Sequence, residues 1–143
     1  MAQGPRKQLG DRGEALVADW LQQQGWSIVV QQWHCRWGEL DIVARSPSPE
    51  RSLAFVEVKT RRRRSLDQGG RLAITHQKQQ KLWRTAQQFL LEHPEHSDSP
   101  CRFDVAFVAQ RPVTKALGTQ TATAEPTLAL VEYIENAFQL ESS

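Results

Sequence analysis

Two short segments carry acids where a strand normally buries hydrophobes. They are Gly38-Glu39-Leu40-Asp41-Ile42-Val43-Ala44 and Ala54-Phe55-Val56-Glu57-Val58-Lys59-Thr60. Side chains alternate faces along a strand. On the second segment Glu57 and Lys59 therefore share a face with Phe55, and Val56 and Val58 take the other. On the first, Glu39 and Asp41 share a face, opposite Leu40, Ile42 and Ala44. The connection between them holds Pro47 and Pro49 and is turn-forming. The pair is expected to form an antiparallel hairpin. If the connection is symmetric about Pro49, Asp41 falls opposite Glu57. Two carboxylates and an ammonium then meet, which is the donor set of a magnesium site.

Charges on one face of a hairpin are more commonly a solvated face. Here they sit mid-strand in apolar segments, and like charges across a ladder repel unless something neutralises them. Lys59 could do so as a structural ion pair, and so could a bound cation. Spacing alone leaves both open.

The elements that must position these residues follow from periodicity. Residues 10–24 read as a helix with an apolar stripe of Leu16, Val17, Trp20 and Leu21, ended by Gly25. Glu14 lies at the start of that stripe, either as a first-turn acid favoured by the helix dipole or as part of the acidic cluster. Residues 26–30 read as a first strand and 31–37 as a connection. Arg61-Arg62-Arg63-Arg64 opens a loop extending to residue 71, suited to wrapping a ligand. Thr75 can cap a second helix ending near residue 92, whose stripe runs through Lys78, Leu82, Ala86, Phe89 and Leu90. Lys78 is either a snorkelling lysine at the core edge or a second base aimed at the site. A loop over 92–100 follows, then a strand over 102–108 and an aperiodic, flexible loop over 110–126. A last strand over 127–133, at an edge, and a C-terminal turn or helix over 134–140 complete the chain. Residues 1–9 and 139–143 read as frayed tails. The order predicts one α/β domain with a mixed sheet of about five strands flanked by helices.

The 143 residues suffice for one domain with a core, and no apolar stretch approaches a membrane span. The polar start lacks an apolar signal core, so a cytoplasmic location is expected. Cys35 and Cys101 form no Cys-x-x-Cys pair and read as two buried free thiols. His93-Pro94-Glu95-His96 has superficial metal-ligand spacing but reads as a solvated loop. Net charge is only +2, yet four arginines follow directly on the acid-bearing strand. Carboxylates ringed by arginines suit a metal-dependent enzyme acting on a polyanion.

These residues resemble a known pattern. Asp41 with Glu57-Val58-Lys59 resembles the signature of the restriction-endonuclease-like superfamily, an Asp followed after a spacer by (Asp/Glu)-x-Lys on adjacent strands. The chain looks in particular like the YraN-like family of bacterial proteins, distantly similar to Holliday-junction resolvases. The matching pieces are Gly13-Glu14-Ala15, the two strand segments, Lys78…Leu82…Ala86, Arg102-Phe103-Asp104-Val105 and Asn136-Ala137-Phe138. Three features depart from the family pattern: a longer hairpin loop, an apparent insertion over 110–126 and a heavier arginine run.

The resemblance implies phosphodiester hydrolysis with Mg²⁺ or Mn²⁺. Asp41 and Glu57 would ligate the metal with the Val58 carbonyl, and Glu14 would complete the acidic set. Lys59 would orient water or stabilise developing charge. Arg61 to Arg64 and Lys78 would contact the phosphate backbone of nucleic acid, expected to be DNA. Glu39 is left as a supporting residue. Resolvases of this fold act as dimers, so a homodimer is compatible. Three functions stay open: a structure-selective nuclease, a nucleic-acid-binding module of the same fold that does not cut, and a scaffold whose charges form a salt-bridge network.

Overall fold

The computed structural model describes residues 4–61, 74–110 and 127–139. Arg62, Arg63 and Arg64, the rest of the loop expected to residue 71, positions 111–126 of the expected long loop and residues 140–143 lie outside them.

Helix α1 (Pro5–Gln23) starts five residues before the position expected from periodicity. Pro5 stands at its first turn, where the missing N–H costs nothing. Residues 5–9, read as part of a frayed tail, are therefore helical. Its C-terminus is closed as expected: Gly25 adopts φ +94, its N–H bonds Gln22 and the Trp26 N–H bonds Leu21. This is the Schellman arrangement, for which glycine is the favoured residue.

Strands β1 (Ser27–Cys35), β2 (Gly38–Arg45) and β3 (Leu53–Arg61) follow, then α2 (His76–Glu92), β4 (Cys101–Gln110) and β5 (Leu128–Phe138). The sheet order is β1-β2-β3-β4-β5, antiparallel except for the parallel β3–β4 pair. Helix α2 is the crossover that a parallel pair requires. Thr75 caps it, accepting from the Lys78 N–H at 3.1 Å.

Each sheet face carries its own core. Leu40, Val43, Phe55 and Phe107 pack with Leu82, Ala86 and Phe89 of α2. Ile42, Ala54, Val56 and Val108 pack with Val17 and Leu21 of α1. Phe89 is fully buried, edge-on to Trp33 and Phe55. A buried aromatic of this kind contributes about 1.5–3 kcal/mol by transfer alone. No described helix is long and apolar enough to cross a membrane.

Four local expectations are corrected. The connection expected over 31–37 is mostly strand: β1 continues to Cys35, because one face of this edge strand is wet and tolerates Gln31 and His34. The C-terminal turn or helix is instead the end of β5, which reaches Phe138 with the same wet-edge pattern. Cys101 is exposed and Cys35 half-buried, since both stand at strand ends. The histidine pair is not a solvated loop. His93 stacks on Phe89 at 4.1 Å with its Nδ1–H donating to the Phe89 carbonyl, and His96 is buried.

Candidate metal centre

The hairpin register is the expected one. Ile42 pairs with Val56 and Ala44 with Ala54, a pairing symmetric about residue 49. The ladder stops at Ile42. Beyond it Asp41 uses its side chain: Oδ2 accepts the Val58 N–H at 2.8 Å. Asp41 thus sits where β2 and β3 stop exchanging backbone bonds, with Glu57 near enough to act on its charge.

The expected alternation of β2 breaks at the same place. Leu40 packs on the α2 side, while Ile42 and Ala44 pack on the α1 side. The three were expected on one face. The neighbouring strand is irregular here too. A bulge at Val29 shifts the β1–β2 register, and Gln32, facing this stretch, has φ +51. Irregular backbone re-aims side chains, and Gln32 turns toward the acids here.

Carboxylate oxygens of Glu14, Glu39 and Asp41 lie within 4.8 Å of one another. Glu14 comes from α1, which can approach β3 closely because residue 13 is glycine. A Cβ there would collide with Thr60 Oγ1. Gln32 holds the cluster from the other side, its Nε2 donating to Asp11 Oδ1 and Glu14 Oε2, each at 2.9 Å.

Glu57 belongs to a second group on the α2 face. Its Oε1 lies 3.2 Å from Lys59 Nζ and 3.3 Å from Lys78 Nζ. Lys78 is therefore aimed at the site rather than away from it. Arg61 ends β3 half-buried, donating to the Thr60 carbonyl.

Burial dominates the electrostatics. Desolvation, then the Glu57 charge, pushes the Asp41 carboxyl up to about 9, against the pull of the Val58 N–H. Glu14 is raised by burial, partly offset by its bonds to Gln32 and Asp41. Lys59 is lowered by burial, with Lys78 beside it reinforcing the effect. Burial also works against the Lys78 charge, but its bond to Lys59 and the carboxylates of Glu57 and Asp41 outweigh this and raise it. The crowded acids thus keep a proton on Asp41 at neutral pH. A divalent cation would displace that proton and relieve the crowding.

The site residues read from sequence thus fall into two adjoining groups. Glu14 and Asp41 meet, joined by Glu39, and Glu57 sits with Lys59 and Lys78. Val58 enters through its N–H. Glu39, expected on Asp41's face as a supporting residue, does join it, whereas Gln32 went unassigned because its turned backbone breaks the alternation used as the signal. A pair of glutamines in the middle of an otherwise apolar strand was the available clue.

Residues 13–108 match the sequence profile of "Uncharacterised protein family UPF0102". A UPF0102 protein of Acaryochloris marina is 57% identical over 107 residues, covering 71% of this chain and 62% of that relative's length, less than two thirds of it. One of Synechococcus sp. strain JA-3-3Ab is 48% identical over 132 residues, 92% of each chain. One of Nostoc sp. strain PCC 7120 is 46% identical over 132 residues, 91% of this chain and 93% of its own. The matched span holds α1 from Gly13, both acid-bearing strands and α2, hence the whole candidate centre. The chain belongs to the UPF0102 family, to which its YraN-like motifs pointed.

Proposed function

We propose that this protein is a metal-dependent nuclease that hydrolyses phosphodiester bonds in DNA, on a site of restriction-endonuclease type. One observation carries the reading: carboxylates from α1 and β2 converge within 4.8 Å beside a Lys59–Glu57–Lys78 group. Acids to hold a hard cation and bases to meet a phosphate are thus adjacent.

The donor set fits the cation. Carboxylate oxygens suit Mg²⁺ or Mn²⁺, and Asp41 is held protonated by surroundings that a divalent charge would reverse. Glu14, Asp41 and Glu57 would hold the ion, with Glu39 and the Val58 carbonyl as further oxygens. Bound there, it would supply Lewis acidity toward water and the scissile phosphate. Gln32 keeps Glu14 turned toward Asp41. Lys59 and Lys78 place positive charge where a phosphate gains negative charge, and such preorganised charge is the main lever in phosphoryl chemistry. The lowered pKa of Lys59 also makes it the lysine better able to release a proton. Arg61 stands at the exit of β3, and Arg62, Arg63 and Arg64 follow it in sequence as further cations for a polyanion.

A second reading is a nucleic-acid-binding module of the same fold that does not cut. It is favoured by Glu57, whose Oε1 is already shared by the ammonium groups of two lysines. Calorimetric titration of Mn²⁺ into the parent, Asp41→Ala and Glu57→Ala, followed by a screen of branched, flapped and single-stranded DNA, separates the two. The nuclease reading expects metal binding and cleavage in the parent, both lost in folded variants. A parent that binds DNA but neither binds metal nor cuts leaves the second reading.

A further inference from the structure

We infer that a basic groove between the β1–β2 turn and α2 is a track for the phosphate backbone of a DNA substrate, leading into the acidic centre. The inference rests on the nuclease reading for its occupant and adds a surface that the motif residues do not include.

The groove has a volume of about 640 Å³. Among the described residues its lining includes four cations, Arg36, Lys78, Lys81 and Arg84, and no carboxylate. Among the described residues, Arg36, Lys81 and Arg84 form no ion pair with any acid. Helix α2 adds to the charge: its first turn carries no acid, so its positive N-terminal end is not offset.

The cations are held, not merely crowded. Trp37 is half-buried at the turn, with the Arg36 guanidinium carbon 4.4 Å and that of Arg84 5.5 Å from the ring centroid. Cation–π contact fixes a guanidinium without consuming an N–H. Neither guanidinium donates a hydrogen bond to another described residue. Both keep their forks for an outside acceptor, and the planar fork matches phosphate. Gly38 makes the seating possible. It has φ +155, and a Cβ there would meet Thr85 Oγ1 of α2 at 2.9 Å.

Continuity selects the occupant. Lys78 lines the groove and also touches Glu57 in the centre. A strand lying along Arg84, Lys81 and Lys78 therefore arrives at the acids. An anionic membrane would need apolar side chains to insert, and among the described residues Trp37 is the only apolar one in the lining.

The test measures binding alone, with EDTA present, so that it is independent of cleavage. A fluorescein-labelled DNA duplex is titrated by anisotropy across a range of salt. The variants are Arg36→Gln/Arg84→Gln, Arg36→Lys/Arg84→Lys, and Arg45→Gln/Arg51→Gln at the far end of the β2–β3 hairpin. At ~0.9 per phosphate contact, the groove glutamine pair should flatten the log–log salt slope by about 1.8 and weaken low-salt binding at least tenfold. The lysine pair should keep the slope while binding several-fold more weakly, and the distant pair should leave the slope unchanged. Equal losses in both glutamine pairs would mean bulk charge, and overturn the groove. Parent-like binding by the groove glutamine pair would also overturn it, leaving the nuclease reading intact. A parent that ignores DNA, whether or not it binds phosphatidylserine vesicles, overturns both.

Discussion

Gln32 is the residue on which the acidic cluster turns. Its positive φ is uncommon for a side-chain-bearing residue, and its amide bridges Asp11 and Glu14. Backbone and side chain can be separated by substitution. Gln32→Gly relieves the strained φ but removes the amide, so stability should change little or rise slightly. Divalent-ion affinity should fall about 10-fold, the lower end for loss of a group that orients a ligand. Gln32→Glu should destabilise by adding a fourth acid to the cluster, while the added charge strengthens divalent-ion binding. Thermal melts beside Mn²⁺ calorimetry check the pair. Unchanged affinity in the glycine variant would mean that Glu14 is oriented by its helix alone. The same residue marks the limit of reading this site from sequence. Asp41 opposite Glu57 was legible because the turn is symmetric about residue 49 and the β2–β3 ladder keeps that register up to Ile42. Glu39 was placed beside Asp41 by alternation, but Gln32 was not, because alternation is a rule for regular strands and Gln32 stands where regularity ends.

At the scale of elements, one contact sets where Glu14 sits and another ties down the last strand. The first is α1 on β3, at Gly13. Thr60 Oγ1 is buried there and has no hydrogen-bond partner among the described residues. Gly13→Ala would drive a methyl into it, at a cost of about 1–3 kcal/mol by overpacking, and would lift Glu14 from the centre. Thr60→Ala removes the obstacle and sacrifices no hydrogen bond. The double variant should therefore recover most of the loss, a coupling that a double-mutant cycle by urea denaturation would read directly. Additive losses would place the strain elsewhere. The second contact is β5 on β4. Fully buried Asp104 accepts from Tyr133 at 2.6 Å and from the Asn136 N–H at 2.8 Å, and pairs with Arg102 at 3.1 Å. Burial and the Asp104 charge push the Tyr133 hydroxyl upward, which keeps it a donor. Asp104→Ala removes the buried acceptor of Tyr133, the Asn136 N–H and Arg102 together and should cost about 3–5 kcal/mol. Sequence patterning identified Arg102-Phe103-Asp104-Val105 as strand. It did not reveal that Asp104 ties the end of β5, because that bond spans 32 residues and depends on the turned backbone at Asn136. For the same reason the end of β5 was read as a turn.

For the molecule as a whole, the centre makes stability depend on both pH and divalent ions. Asp41 ionises near pH 4 in an unfolded chain but at about 9 in the folded one. Between those values the folded state holds a proton that the unfolded state has released. Stability must then fall as pH rises through that window, and Glu14, also raised, acts in the same direction. With EDTA, the melting temperature should drop from about pH 5 to about pH 8, and the slope should flatten in Asp41→Asn, which carries no titrating proton. A cation that binds the folded site displaces the proton and reverses the trend. At a hundredfold excess over Kd it would add about 2.7 kcal/mol, ~5–10 °C for a chain of this size. The gain should grow from pH 6 to pH 8 in the parent, since the ion competes with the proton, and vanish in Asp41→Asn. Melting curves with and without Mn²⁺ across that range test both halves together. A parent whose melting temperature ignores pH and Mn²⁺ alike would mean that the carboxylates are satisfied as they stand, and the centre would then be a charge network holding α1 to the sheet.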